Sequence, residues 1–469
     1  MKTPLYTALV QHAEKKPYSF HVPGHHNGDV FFDEARTYYD SVLQLDVTEL
    51  EGLDDLHHPT GVIQEAEHLL AKLYGSDQSF FLVNGTTVGN LAMVMAACRA
   101  GDEIFVQRNC HKSVYHAIEL AGATPIMVEA EIDQHLHVPT HVTDETVKKA
   151  IAKHPNCRAI VLTYPNYYGH AADLSKLIHM CHEAGMIVLV DEAHGAHFVL
   201  GGAFPPSALS YGADVVVQSA HKTLPAMTMG SYLHLQGGRM DAKRLKTFLT
   251  MLQSSSPSYP IMASLDVARA YVEEIKKKEI LDGMMKGLAE LKNEFNRIPQ
   301  LEVVQSELLF NDPLKCVIRS TKGLTGYELK RVLESVEVHP ELADEHQVLL
   351  VFGLEQKKDI PFNRIEQALN QSNSFLKGKD HIQREALAIE NNEHREDIEA
   401  VPFEHAAGRI SAESVIPYPP GIPLIVKGEC IESDQIAALS RLLGHQVHVQ
   451  ASQVIHQRKL YVYIEEETL

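Results

Sequence analysis

The chain has 469 residues, 45% of them hydrophobic and 22% charged. That is a globular composition, predicting two to four domains at roughly 100–200 residues each and excluding global disorder, collagen and coiled coil. With 42 basic and 61 acidic residues the formal charge is −19, which argues against broad nucleic-acid binding and against anionic membrane surfaces.

In chain order, Ser79–Val83 reads as a strand and Val88–Ala100 as a helix, with Leu91, Met95 and Cys98 on one side. Glu103–Gln107 is a second strand, followed by a helix near Val114–Ala121. Further strands are predicted at Arg158–Leu162, Met186–Val190 and Asp214–Gln218, with helices at Glu145–His154 and Leu174–Ala184. Short, nearly continuous apolar strands alternating with helices predict an α/β fold whose mostly parallel sheet is covered on both faces. Beyond about residue 240 the pattern changes. Asp241–Leu252 and Ala263–Arg297 are helix-rich, and strands at Cys316–Arg319 and Val348–Phe352 flank a helix at Gly326–Ser335. The polar run that includes Glu390–Asp397 reads as a linker or an exposed helix. Ile416–Pro423 (IPYPPGIP) and a strand at Leu460–Ile464 mark a C-terminal unit. The expected division is an N-terminal arm 1–45, a large domain 46–260, a small α/β domain 261–373, a linker 374–399 and a C-terminal α+β domain 400–469.

Six scattered cysteines form no CxxC pair, which suits a reducing compartment. The N-terminus carries no signal-peptide stretch, and no window approaches ~18 apolar residues, so a cytoplasmic protein without a membrane span is expected. The 28 histidines permit acid-sensitive behaviour.

In open α/β sheets, ligands bind beyond the carboxyl ends of the strands. The first strand leads into Asn84-Gly85-Thr86-Thr87, where a glycine turn, a helix N-terminus and two hydroxyls form a phosphate seat, although the same residues read as an ordinary turn and cap. After the second strand His111 is placed to stack on a planar ring or to act as an acid or base. After Met186–Val190 comes Asp191-Glu192-Ala193-His194-Gly195-Ala196-His197. A carboxylate just past a buried strand is poorly solvated and wants a cation, such as the pyridinium nitrogen of pyridoxal phosphate. A metal site from Asp191, His194 and His197 is the competing reading. It is discounted because the segment follows a strand and lacks an HExxH helix, so no metal is expected. After Asp214–Gln218 comes Ser219-Ala220-His221-Lys222-Thr223. Lys222 is placed to form a Schiff base with an aldehyde if its surroundings lower its pKa, and Ser219 and His221 to hold a phosphate. Each signal alone has a bland reading; their succession at four strand ends is what carries the inference.

The stretches PGHHNG (Pro23–Gly28), DVTEL (Asp46–Leu50), GLDDLHHPTG (Gly52–Gly61), FLVNGTTVGN (Phe81–Asn90), NCHKSVYHA (Asn109–Ala117), VDEAHGAHF (Val190–Phe198), SAHKT (Ser219–Thr223) and YPPGIP (Tyr418–Pro423) resemble the Orn/Lys/Arg decarboxylase family. The resemblance implies the pyridoxal-phosphate-dependent transferase fold of the aspartate-aminotransferase type. It implies Lys222 as the Schiff-base lysine, Asp191 as the partner of the pyridine nitrogen, and His111 stacked on the ring with Ala193 on the opposite face. Gly85, Thr86, Thr87, Ser219 and His221 fall in the phosphate seat, and His194 near a cofactor oxygen or the substrate. It further implies a homodimer or dimer of dimers with sites at the interface, to which Tyr259 contributes. His26 departs from the family's PGHK and is a candidate for altering the entrance. The stretch resembling a response regulator in larger members is absent from the match, which favours the small assembly over a large ring.

The activity implied is α-decarboxylation of lysine, ornithine or arginine. The rivals are an aminotransferase or aldolase reaction on the same fold, which needs an arginine clamp such as Arg269, Arg319 or Arg331, and a non-catalytic regulator. Glu404 and Glu413 are the candidate readers of the substrate's distal cation.

Overall fold

The computed structural model describes residues 1–355, 360–372 and 397–464. Of the expected linker, 374–396 lies outside the described residues. So does all but the last residue of the charged run 390–397.

The central sheet has seven strands: β1 (Gln78–Leu82), β2 (Glu103–Gln107), β3 (Thr124–Val128), β4 (Ala159–Thr163), β5 (Ile187–Asp191), β6 (Val215–Gln218) and β7 (Ser231–Leu235). Their order is β1-β7-β6-β5-β4-β2-β3. β7 runs antiparallel to both neighbours and every other pairing is parallel. Val215, Val216 and Val217 are wholly buried, as the unbroken apolar reading of such strands requires. Register then aligns the strand ends: Asp191 faces Thr163 on one side and Val217 on the other. The loops leaving β4, β5 and β6 therefore open at one sheet edge.

Two strands escape the sequence reading for identifiable reasons. β3 carries Pro125, which reads as a strand breaker. It is tolerated because β3 is the outermost strand. β7 carries Ser231 and His234, both wholly buried, so its polar letters conceal a core strand. The helix-rich stretch 263–297 divides into Tyr259–Lys278 and Leu281–Asn296 around Glu279, whose φ is +52°. Part of the expected N-terminal arm is a core element. The helix Pro4–Glu14 buries Leu5 and Leu9, and Asp266 Oδ2 accepts from the backbone N–H of Leu5 at 3.0 Å and of Tyr6 at 3.3 Å.

A second sheet, β8 (Leu301–Val304), β9 (Lys315–Ser320), β10 (Leu342–Ala343) and β11 (Val348–Val351), is wholly antiparallel in the order β8-β9-β11-β10. In the C-terminal region β12 (Ile398–Pro402) pairs antiparallel with β13 (Lys459–Tyr463). Phe403, Ile425, Leu439 and Val462 close a core of their own there. This region is tied to the central sheet by Arg108. Its guanidinium donates to Pro423 O (2.9 Å), Leu424 O (3.1 Å) and the Glu429 carboxylate (2.9 Å). Among the described residues no helix is long and apolar enough to cross a membrane.

His234 gives β7 a titratable core. Nδ1 lies 2.7 Å from Ser79 Oγ and Nε2 3.1 Å from Gln218 Oε1, and the ring stacks on Tyr74 at 4.5 Å. Gln218 Oε1 only accepts, so Nε2 carries the proton and Nδ1 accepts from the serine. Burial pushes the imidazole down to about 3. The unfolded chain, with an ordinary value near ~6.5, therefore takes up a proton that the folded chain refuses. The contribution is full above that value and is lost as pH falls toward 3. Buried Glu67 and Glu192, pushed up to about 8 by desolvation, act with the opposite sign, so the informative comparison is with a His234→Gln variant. Its stability deficit against wild type is expected to shrink by about 3 kcal/mol between pH 7 and pH 4, read from thermal unfolding. A pH-independent deficit contradicts a neutral His234.

Candidate active site

The loops leaving β1, β2, β5 and β6 surround one cavity of about 760 Å³. All ten residues predicted to bind or act there line it: Gly85, Thr86, Thr87, His111, Asp191, Ala193, His194, Ser219, His221 and Lys222.

β1 turns into the helix Gly85–Ala97 through Gly85, whose φ of +74° suits a residue without Cβ. The first turn of that helix leaves backbone N–H groups unpaired within it. Thr86 Oγ1 is hydrogen-bonded to Ser219 Oγ and lies 3.3 Å from Ser231 Oγ. His221 Nδ1–H donates to Gly230 O at 3.0 Å. Thr87 is exposed toward the same space. Hydroxyls, an imidazole and a helix N-terminus thus converge from two strand ends.

At the end of β2, His111 caps the helix Lys112–Ala121. Its Nδ1 accepts from Ser113 N–H (3.2 Å) and lies 2.8 Å from Ser113 Oγ, which leaves the proton on Nε2. Burial lowers its pKa to about 4, against the pull of Asp191. Gly421 of the YPPGIP loop lies against the ring: a Cβ there would come 3.1 Å from Nε2. Lys112 N–H donates to Gly421 O at 3.0 Å, so the C-terminal region forms part of the cavity wall.

At the end of β5, Asp191 is 4% exposed. Oδ2 accepts from Asn90 Nδ2 at 2.8 Å and Oδ1 from Ala193 N–H at 3.2 Å. Asn90 also donates to Ser113 Oγ at 2.9 Å, which joins the β2 and β5 loops through one amide. Asn90 was not anticipated. It stands four residues after Thr86 on the same helix, and that spacing puts it on the same face.

At the end of β6, Lys222 opens onto the cavity. Solvent reaches it from that side, while protein crowds the rest and lowers its ammonium pKa, against Asp191 and Glu341. Nζ lies 3.1 Å from His194 Nε2. Three further lining residues come from segments without a sequence signal. Lys315, the first residue of β9, places Nζ 3.0 Å from His194 Nδ1, and burial pushes it down to about 8. The Tyr167 ring meets His194 edge-on at 4.4 Å and donates its hydroxyl to Glu341 Oε1 at 2.5 Å.

Several candidates lie elsewhere. Arg269 is buried in ion pairs with Asp266 (2.9 Å) and Glu273 (3.0 Å). Arg319 donates to Gln347 Oε1, and Arg331 is exposed on a helix. None of the three lines the cavity, so the arginine clamp of the aminotransferase reading is not found among them. Tyr259, expected at a neighbouring subunit's site, donates its hydroxyl to Asp54 O of its own chain at 2.6 Å. His26 Nδ1 lies 3.1 Å from Ser19 O. Glu413 accepts from Ser452 and Tyr461 N–H groups within the C-terminal region, and Glu404 is exposed there. The residues of the metal reading part company: Asp191 binds Asn90, His194 the two lysines, and His197 Nε2 lies 3.0 Å from Asp312.

The donor set fits pyridoxal phosphate. The hydroxyl cluster and helix N-terminus suit its phosphate, the anionic Asp191 its ring nitrogen, and Lys222 its aldehyde. Asn90 Oδ1 and Thr163 Oγ1, both on the cavity wall, are buried without a partner among the described residues.

Residues 3–308 match the family model "Orn/Lys/Arg decarboxylase, major domain" and residues 370–448 match "Orn/Lys/Arg decarboxylase, C-terminal domain". The chain is 52% identical to the uncharacterized protein YaaO of Bacillus subtilis across 100% of both chains. It is 35% identical to the arginine decarboxylase of Bacillus subtilis, over 96% of this chain and 95% of that one. Its fold is that of the Escherichia coli constitutive lysine decarboxylase, with a TM-score of 0.81 at 19% identity, over 99% of this chain and 82% of that one.

Proposed function

The chain belongs to the Orn/Lys/Arg decarboxylase family, a pyridoxal-phosphate-dependent family, and from that premise we propose that it decarboxylates a basic amino acid (arginine, lysine or ornithine) to CO₂ and the corresponding amine. The observation that carries this is the shared cavity, where the end of β5 supplies the buried Asp191, the end of β6 supplies Lys222, and the ends of β1 and β6 together supply the phosphate seat. Arginine is placed first. Four Bacillus-type relatives named arginine decarboxylase are 34–36% identical over at least 91% of this chain, while the biodegradative arginine decarboxylase of Escherichia coli is 24% identical over 95% of it. Relatives named lysine decarboxylase are 22–25% identical.

Pyridoxal phosphate, when bound, supplies an aldehyde for the substrate amine and a conjugated ring that accepts the electrons left as CO₂ departs. The chain's residues supply the rest. Gly85, Thr86, Thr87, Ser219 and His221 hold the phosphate. Asp191, fixed by Asn90, keeps a proton on the ring nitrogen. His111 and Ala193 confine the ring between them. Lys222 gives the amine that holds the cofactor and, once freed, is an acid–base group at the substrate's Cα. The carboxylates on the cavity wall are Asp191 and Glu341. With Asp191 committed to the ring, Glu341 is left to read the distal cation in place of Glu404 and Glu413. The assembly proposed is a homodimer or dimer of dimers. Support for it comes from the number of large aromatic side chains left exposed in one N-terminal stretch, Tyr18, Phe20, Phe32 and Tyr38.

The test is CO₂ release by the cofactor-loaded protein offered arginine, lysine and ornithine separately. Release from one of them, arginine first, is the expected result. No release from any of the three, with the cofactor still bound, overturns the proposal.

A further inference from the structure

Two lysines meet the two nitrogens of one imidazole. Lys222 Nζ lies 3.1 Å from His194 Nε2 and Lys315 Nζ lies 3.0 Å from His194 Nδ1. Neither ammonium has another hydrogen-bond partner among the described residues. An ammonium only donates, and a neutral imidazole donates at one nitrogen and accepts at the other. Two ammonium groups on one neutral ring would point an N–H at an N–H. A charged ring would face two cations, and burial together with Lys222, Lys315, His197 and His111 holds His194 well below its ordinary pKa. Whenever Lys222 is free, one of the two lysines must therefore be a neutral amine that accepts from the ring.

The arrangement is built. Lys315 is 5% exposed, and its stem lies against Gly169, where a Cβ would come 2.4 Å from Lys315 Cγ. The Tyr167 ring centroid lies 5.8 Å from Lys222 Nζ and 5.7 Å from Lys315 Nζ, so a single cation is welcomed at either end. Asp191, Glu341, His111 and His221 face Lys222, and Asp312 and Glu341 face Lys315. These carboxylates favour keeping one cation, and repulsion between the lysines disfavours a second.

We infer that Lys315 is a positioning residue which, through His194, sets the protonation of Lys222 and stores the proton that Lys222 gives up. The inference rests on Lys222 being the reacting amine of the proposed function. In the step, a proton leaves the Lys222 ammonium for His194 Nε2 while the Nδ1 proton passes to the Lys315 amine. Two N–H bonds break, two form, and the three groups keep a total charge of one. Lys222 is left with a free lone pair for a carbonyl carbon.

The test reads Lys222 itself, in the full-length protein freed of cofactor. Carbamylation by cyanate is followed from about pH 6 to about pH 12, a span that brackets the ~10.4 of a solvated lysine, by mass spectrometry of the Lys222 peptide. In wild type the midpoint is expected below the ~10.4 of a solvated lysine, in the direction that burial pushes Lys222. Lys315→Met removes the proton store and the repulsion, and should raise the midpoint by about one unit. Lys315→Arg, always charged and unable to accept, forces the Nε2 proton toward Lys222 and should lower it. A wild-type midpoint near the solvated value overturns the inference, as do variants that superimpose on wild type or shift together. If circular dichroism shows that the arginine variant does not fold, wild type and Lys315→Met decide. CO₂ release is scored separately, so a normal profile without decarboxylation sinks the proposed reaction and leaves the relay standing.

Discussion

Replacing Lys222 by alanine is expected to lower CO₂ release by at least about 10³-fold and to leave the protein without covalently held pyridoxal colour. The expectation comes from placement. Lys222 sits on the short helix Ala220–Thr223 at the end of β6 and opens onto the cavity. Lys315 cannot simply replace it, because its Nζ is held on the far side of His194 and its stem is packed against Gly169. Lys222→Arg separates charge from nucleophilicity: it keeps the cation, cannot attack a carbonyl, and should be as inactive as the alanine variant. Both variants should fold, since Lys222 stands on the wall of the cavity and outside the hydrophobic core, and a thermal melt within a few degrees of wild type confirms that. Turnover retained in Lys222→Ala would move the reacting amine to Lys315, and a Lys222→Ala, Lys315→Met double variant would then be the inactive one.

The parts of this site that were legible in the sequence are the parts that follow strands. β4, β5 and β6 are buried on both faces and read as nearly unbroken apolar runs, and the shorter apolar cores of β1 and β2 are enough to mark them as strands. A chemically distinctive residue just after such a run is already placed at the sheet edge. That is how Gly85, His111, Asp191 and Lys222 could be brought together without coordinates. The residues that hold them in place have no such marker. Asn90 is one polar letter inside an apolar helix, and its role comes from reaching Asp191 and Ser113 together. Lys315 opens β9, and nothing local distinguishes it from a surface lysine; only the packing of the second sheet against the first carries it to His194. The same blindness misplaced the arginines. Arg269 reads as an available cation, yet it is wholly buried against Asp266 and Glu273, anchoring the segment of Lys2 through its backbone carbonyl. Likewise β7 was hidden by His234, whose partners Ser79 and Gln218 lie on neighbouring strands.

Asp191→Asn is expected to keep the cofactor and lose about 10²–10³ in kcat, with KM little changed. Asp191 is buried, and both of its oxygens are held by neutral donors, Asn90 Nδ2 and Ala193 N–H. No ion pair satisfies it among the described residues. A buried carboxylate so placed is costly unless a cation arrives, and a protonated ring nitrogen is the cation that the proposed reaction brings. Asparagine has nearly the same shape and keeps an oxygen for Asn90, but its neutral amide cannot hold that proton in place. The phosphate seat is built from other strand ends, so cofactor retention measured by absorbance should persist while the rate collapses. That split distinguishes loss of electron withdrawal from loss of binding, because a merely structural role for Asp191 would weaken retention and rate together. Asn90→Ala should follow in the same direction with a smaller loss, about tenfold, since it loosens the carboxylate without discharging it. A kcat for Asp191→Asn within about threefold of wild type would mean that the ring needs no anionic partner here, and the decarboxylation mechanism built on Asp191 would fail with it.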